Sequence, residues 1–317
     1  MMLPANSDRE TGPRFYDERV RSVQFWSGAT FLKTTEILPL ARMLDETGFD
    51  GMITSDHMIY PRQLQSVYPD STSGLPPWQP DTAWPDPWVL TGAMAAVTTD
   101  LRFSNAVYIA PARPLLEVAK QVATAATLSG GRVSLAAGVG WMREEYALMG
   151  QDLHTRGKRL DEMIPALRAL WQGGWVSWSG EHYQVPEMMI EPHPPAPVPI
   201  LCGGESDAAL RRAALLCDGW VGYAYRWDEA VGYARRLTEL RREYGRLDEP
   251  FEVLLALMEP PSIDLYRRAE DEGITSVMVA PWLEGSKSGA LGDPDDVERF
   301  RAPIERFAET VIAKLRP

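Results

Sequence analysis

Apolar and polar residues alternate in period along the chain, and each change of period marks an element. Val20-Arg21-Ser22-Val23-Gln24-Phe25 reads as a strand, after which Ile37, Ala41, Leu44 and Gly48 fall at helical spacing in a segment that ends in Thr47-Gly48. A short strand is predicted at 52–54, a helix over about 87–97, a strand at 101–107 and a helix at 114–128 with Leu115, Ala119, Val122 and Ala126 on one face. Pro87 and Pro114 suit the first turn of a helix, where no N–H is needed. The pattern continues with a strand at 132–137 and a helix at 156–171 whose Leu160, Met163, Ile164, Leu167 and Trp171 form an apolar stripe. Strands at 198–201, 219–222, 251–256 and 276–279 alternate with helices at 208–216, 228–244 and 262–272, and a last helix carries Val297, Phe300, Ile304, Phe307 and Val311.

Eight strands alternating with eight helices in 317 residues predict a closed (β/α)8 TIM barrel. The rival, a doubly wound sheet with a second lobe, needs a linker that the chain does not offer. One domain over 1–317 is therefore expected, with an N-terminal extension at 1–18. The Pro-, Gly- and Trp-rich stretches at about 60–86 and 173–199 are expected as insertions in the βα loops after strands two and four. In such a barrel the chemistry belongs to the loops at the C-terminal ends of the strands.

Composition removes several classes. A net charge of −12 and a pI near 4.9 exclude a nucleic-acid or anionic-membrane partner, either of which needs a basic face. The N-terminus has no apolar signal core, and no stretch approaches the roughly 18 apolar residues of a membrane span, so a cytoplasmic protein is expected. Cys202 and Cys217 lie in no CxxC or Cys/His pattern and read as small core residues. The four histidines, His57, His154, His182 and His193, show no HxH or HxxxH pairing, so no metal is expected.

At the strand ends, Asp56-His57 puts a carboxylate beside an imidazole just after strand two. There a histidine serves as a general acid, a donor to a ring carbonyl or a metal ligand, or it is a packing residue bonded to its neighbour. Gly138-Val139-Gly140-Trp141-Met142-Arg143 follows strand four but lacks the third glycine of a dinucleotide fingerprint. A permissive turn remains, followed by Trp141 and by Glu144-Glu145, which read as a solvated helix start. Cys202-Gly203-Gly204-Glu205-Ser206-Asp207 leads from strand five into a helix. Ser206 or Asp207 can cap that helix, while the two glycines favour an anion site at its positive end. The loop from Trp78 to Trp88 holds three tryptophans and is either a pocket wall or a packing surface.

The block Leu128-Ser129-Gly130-Gly131-Arg132-Val133-Ser134-Leu135-Ala136-Ala137-Gly138-Val139-Gly140-Trp141, then Glu144-Glu145-Tyr146 and Arg156-Gly157-Lys158-Arg159-Leu160-Asp161-Glu162, resembles the luciferase-like monooxygenase superfamily, and more narrowly its coenzyme F420 branch. The resemblance implies a barrel with the deazaflavin, or FMN, at its mouth. It places Asp56 and His57 near the ring system in cofactor-binding or proton-transferring roles. It implies a non-prolyl cis peptide at the end of strand three, around Ala106-Val107 after Asn105. It also lays Gly138, Gly140 and Trp141 along the cofactor's side chain, with Gly203, Gly204, Glu205 and Ser206 at its phosphate. The chain departs from luciferase proper, which has an arginine for the FMN phosphate after strand four. It departs also from the sugar-phosphate dehydrogenases, where a glutamate follows the strand-four glycines and Arg143 stands here. The expected reaction is hydride transfer between F420 and a small organic substrate, with His57 moving the proton under an aromatic lid. A homodimer and a flavin or F420 reductase are the implied protein partners. An FMN-dependent monooxygenase, a non-catalytic cofactor-binding protein and a metal-dependent hydrolase are the rivals.

Overall fold

In the computed structural model, residues 22–69, 71–283 and 297–316 are described, so the extension at 1–18 and the start of the first predicted strand lie outside them. Four short strands come first: β1 (Gln24–Gly28), β2 (Gly51–Thr54), β3 (Arg102–Asn105) and β4 (Leu135–Ala137). A hairpin of β5 (Val176–Ser179) and β6 (Gln184–Met188) precedes β7 (Ile200–Gly203), β8 (Gly219–Tyr225), β9 (Glu252–Leu257) and β10 (Ser276–Met278). All but the hairpin form one parallel sheet in the order β3-β2-β1-β10-β9-β8-β7-β4. Its two edges meet: Phe103 bridges Val133 and Tyr108 bridges Ala137, with the Phe103 N–H on the Arg132 carbonyl at 2.8 Å and the Gly138 N–H on the Tyr108 carbonyl at 2.9 Å. The predicted (β/α)8 barrel is the observed fold.

Between the barrel strands run α1 (Thr34–Glu46), α2 (Pro87–Ala95), α3 (Leu115–Leu128), α4 (Arg143–Leu148), α5 (Arg156–Leu170), α6 (Asp207–Leu216), α7 (Trp227–Glu243) and α8 (Ile263–Asp271), and α9 (Arg301–Phe307) follows β10. The large apolar layer lies between these helices and the strands, as the predicted stripes require. A smaller cluster fills the barrel itself: Trp26, Ile53, Ala136, Leu201, Val221 and Leu254, with Val107 packed against them. Trp26 explains a glycine, because a Cβ on Gly51 would lie 2.2 Å from its indole.

Two features differ from expectation. The short helix α4 is additional, and the segment 173–199 follows α5 rather than β4, so it joins a helix to a strand away from the βα loops. It carries the β5–β6 hairpin, which Glu162 on α5 fastens by accepting from the N–H groups of His182 and Tyr183 and from Trp178 Nε1. Strands of four and five residues with only one buried position between them leave little periodic signal. The first insertion does follow β2 and reaches the barrel mouth.

Candidate active site at the barrel mouth

β2 is buried at all four positions and ends where the chain turns outward through Ser55, Asp56 and His57. Asp56 is 5% exposed. Its Oδ1 and Oδ2 accept from the two terminal nitrogens of Arg113, each at 2.8 Å, and Oδ2 also accepts the Ile109 N–H at 2.8 Å. The guanidinium lies 4.3 Å from the centre of the Tyr108 ring. Asp56, expected beside a ligand, thus commits both oxygens to protein donors. It ties the end of β2 to the segment beyond β3, which contains the cis Ala106-Val107 peptide at the place the resemblance implied.

His57 takes the other direction. Its Nδ1 is 3.2 Å from Oε1 of Glu145, and the same oxygen accepts the Met58 N–H at 2.7 Å. The imidazole is 10% exposed and the carboxylate 2%. Around the ring stand Trp78, Trp84 and Trp141, with centroids at 4.7, 5.0 and 6.0 Å. Tyr68 packs on Trp78 and Trp141, and Phe31, whose φ of 66° is rare for a non-glycine residue, lies against Trp78 and Trp84. Trp88 belongs elsewhere: it starts α2 and packs on Tyr108 in the core. Glu144 holds the loop down by accepting from the N–H groups of Gln65 and Ser66 and from Ser66 Oγ. Burial pushes the Glu144 carboxyl up, but those donors outweigh it and hold the group below the usual carboxylate range.

Beneath this cover lies Val107. A Cβ on Gly138 would be 2.3 Å from one of its methyls and a Cβ on Gly203 2.3 Å from the other, while a Cβ on Gly140, whose φ is 64°, would lie 2.8 Å from Ile109. The strand-end glycines therefore admit Val107 and Ile109. Asn105 is buried, with its Nδ2 donating to Thr54 Oγ1 at 3.1 Å and its Oδ1 without a partner among the described residues. Residues 204–206 are exposed at the mouth. Gly204 has a φ of 109° and its carbonyl accepts from Trp220 Nε1, the Glu205 carboxylate accepts from Tyr225 OH at 2.6 Å, and Ser206 caps α6 through the Ala209 N–H. Burial, with Glu205 adding to it, raises the Tyr225 phenol well above its ordinary range.

The structure brings together His57, Trp141, Trp78 and Trp84 as a single cluster, and adds residues that sequence reasoning did not assign to the site. Glu145 was read as solvated, and only its neighbour's acidity and the helix to come were visible. Arg113 lies 57 residues from Asp56, where no local pattern connects them. Two clefts elsewhere, one between α5 and α6 and one beside α9, include none of these residues. The mouth is a packed aromatic cluster.

Chemistry-bearing side chains gathered at the C-terminal ends of barrel strands are the arrangement of a (β/α)8 enzyme. The chain belongs to the luciferase-like monooxygenase family, whose model matches residues 22–258. It is 37% identical over 284 residues to an uncharacterised protein of Mycobacterium tuberculosis, covering 89% of this chain and 96% of that one. It is 30% identical over 185 residues to the pyrimidine monooxygenase RutA of Variovorax paradoxus, covering 54% of this chain and 48% of that one. Among solved structures, the coenzyme F420-dependent tetrahydromethanopterin reductase of Methanopyrus kandleri superimposes with a TM-score of 0.69 at 14% identity, covering 93% of this chain and all of that one (100%). The oxygenating constituent of 3,6-diketocamphane monooxygenase of Pseudomonas putida, in complex with FMN, gives 0.58 at 15%, covering 74% and 66%.

Proposed function

We propose that this protein is an F420-dependent oxidoreductase that moves a hydride between the deazaflavin and a small organic substrate. His57 carries the reading: an imidazole at the end of β2, faced by three indoles and braced by a buried carboxylate. The residues present fit a flat ring with polar edges. Val107 and Ala106 supply a half-buried apolar floor, and the unpartnered Asn105 Oδ1 is an acceptor for a ring N–H. Gly140 and Trp141 would flank the cofactor's side chain, and the exposed backbone at 204–206 would face its phosphate. When bound, the deazaflavin supplies a hydride donor or acceptor. His57 would take up or deliver the accompanying proton, and the aromatic cover would exclude water from it.

Replacing His57 with Ala should cut turnover by about 10²-fold while the fold survives, and unchanged steady-state rates would refute the role. The cofactor is tested by titrating the protein with F420 and with FMN and following tryptophan fluorescence, since three indoles ring the site. The second reading is an FMN-dependent monooxygenase, favoured by the likeness to RutA and to the FMN complex. Tight binding of FMN with none of F420 would establish it. A reductase that supplies reduced cofactor is the partner either reading implies. A homodimer is proposed as well, supported by α2, which is apolar on its outer side too, with Val89 75% exposed, and by the adjoining α3, where Leu116 and Leu128 are exposed.

A further inference from the structure

Two buried carboxylates lie at the end of β2, and they differ in what neutralises them. Asp56 has Arg113 across both oxygens. Glu145 has no Lys or Arg within ion-pair reach among the described residues, and its one charged-group contact is His57 Nδ1. Among the described residues its Oε2 has no partner, so its acceptor capacity is directed through Oε1 to the imidazole and the Met58 N–H. The carboxylate is also fixed in place. Tyr146, the next residue, is 1% exposed and its hydroxyl donates to the Val139 carbonyl at 2.6 Å, pinning α4 to the loop after β4.

Oε1 of Glu145 already accepts the Met58 N–H at 2.7 Å, so it faces the imidazole as an acceptor. A histidine nitrogen facing it must therefore carry hydrogen, in the neutral ring as in the imidazolium. We propose that Glu145 is the positioning residue of His57: it keeps a proton on Nδ1 and leaves Nε2 as the nitrogen that exchanges a proton with substrate. This rests on the role proposed for His57 above and adds which nitrogen acts and what selects it. The logic is that of a base oriented by a third group, assembled here from the loop after β2 and the first turn of α4.

The test is ¹⁵N NMR of ring-labelled histidine in the full-length, ligand-free protein at about pH 8.5, where an ordinary imidazole is neutral. Only four histidines contribute, and the signal absent from His57→Ala assigns the one of interest. In the native protein His57 should show a protonated Nδ1 and a bare Nε2. Glu145→Gln, whose amide oxygen still accepts, should preserve that state, whereas Glu145→Ala should exchange the two resonances toward the Nε2–H form. A native Nε2–H ring overturns the proposal outright, so it remains falsifiable even if Glu145→Ala fails to fold. A tautomer unmoved in a folded Glu145→Ala also overturns it. Neither result depends on turnover, whose loss or retention in His57→Ala judges the proposed function separately.

Discussion

If the strand-end glycines exist to admit Val107, adding a methyl at Gly138 should be costly only while Val107 is present. Gly138 has no positive φ, so Ala fits its backbone and any penalty is steric. The new Cβ would stand 2.3 Å from one Val107 methyl and 3.0 Å from its Cβ, and rotation gives no escape because the other methyl already faces Gly203. Overpacking of this kind costs roughly 1–3 kcal/mol. Val107→Ala removes two half-buried methyls, which forfeits about 1–1.5 kcal/mol at ~0.8 kcal/mol per buried carbon. The sum for independent sites is about 2–4.5 kcal/mol, and the double variant should fall short of it by about 1 kcal/mol or more, as contacting residues do. Urea unfolding of the four proteins, followed by circular dichroism, measures the cycle. Gly232→Ala on α7 is the control, since nothing among the described residues lies within 4 Å of a Cβ there, and it should stabilise by about 0.5–1 kcal/mol. Additivity within about 0.5 kcal/mol would refute the collision.

Arg113→Ala leaves Asp56 buried and unpaired and should cost about 3–5 kcal/mol in the same unfolding assay; Arg113→Lys should rescue little, because one ammonium cannot span both carboxylate oxygens. A loss under about 1 kcal/mol would remove Asp56 as the clamp on β2. Because the folded Glu144 carboxyl is held low, its grip on Gln65 and Ser66 is fully present above the ordinary glutamate value of about 4.3 and is lost as pH falls through the lower folded value. Acid titration of tryptophan fluorescence should show that loss in the native protein and not in Glu144→Gln. Glu252 has the opposite sign: burial, against Arg102 and the Ser276 hydroxyl, holds its carboxyl above the usual range, so stability falls as pH rises from about 4.3 toward the folded value. Glu252→Gln, which still accepts from Ser276, should flatten the difference between unfolding midpoints at about pH 5 and pH 8, and an unchanged slope would contradict it.

Strand and helix order was legible because each element buries one face, and burial writes a period into the residues that form it. Position at the mouth was legible too, since a short buried strand that ends in Asp-His has only one end to place it at. The partners were not. Glu145 meets His57 across 88 residues, and nothing at either position names the other. The exposed reading of Glu144-Glu145 failed for the same reason: a helix start tolerates acids in solvent as well as acids that reach across to a loop, and the choice is made by the loop.

The glycines carry the point further. The resemblance sets Gly138, Gly140 and Gly203 against the cofactor, and what stands at their Cβ positions is Val107 and Ile109, side chains from the segment after β3. A glycine records that space is needed at its Cβ and is silent about the occupant. Here the occupant is the floor on which the proposed ring would rest, so the glycines serve the site at one remove, by letting the chain beyond β3 enter the barrel. Ser206 behaves in the same way, since its hydroxyl caps α6 and its contribution to the mouth is the shape of the turn that Trp220 and Tyr225 hold from β8. Residue types at the strand ends thus report the demands of the backbone first, and the ligand inherits the surface those demands leave. That is why His57, whose imidazole no backbone need explains, is the residue from which function is best inferred.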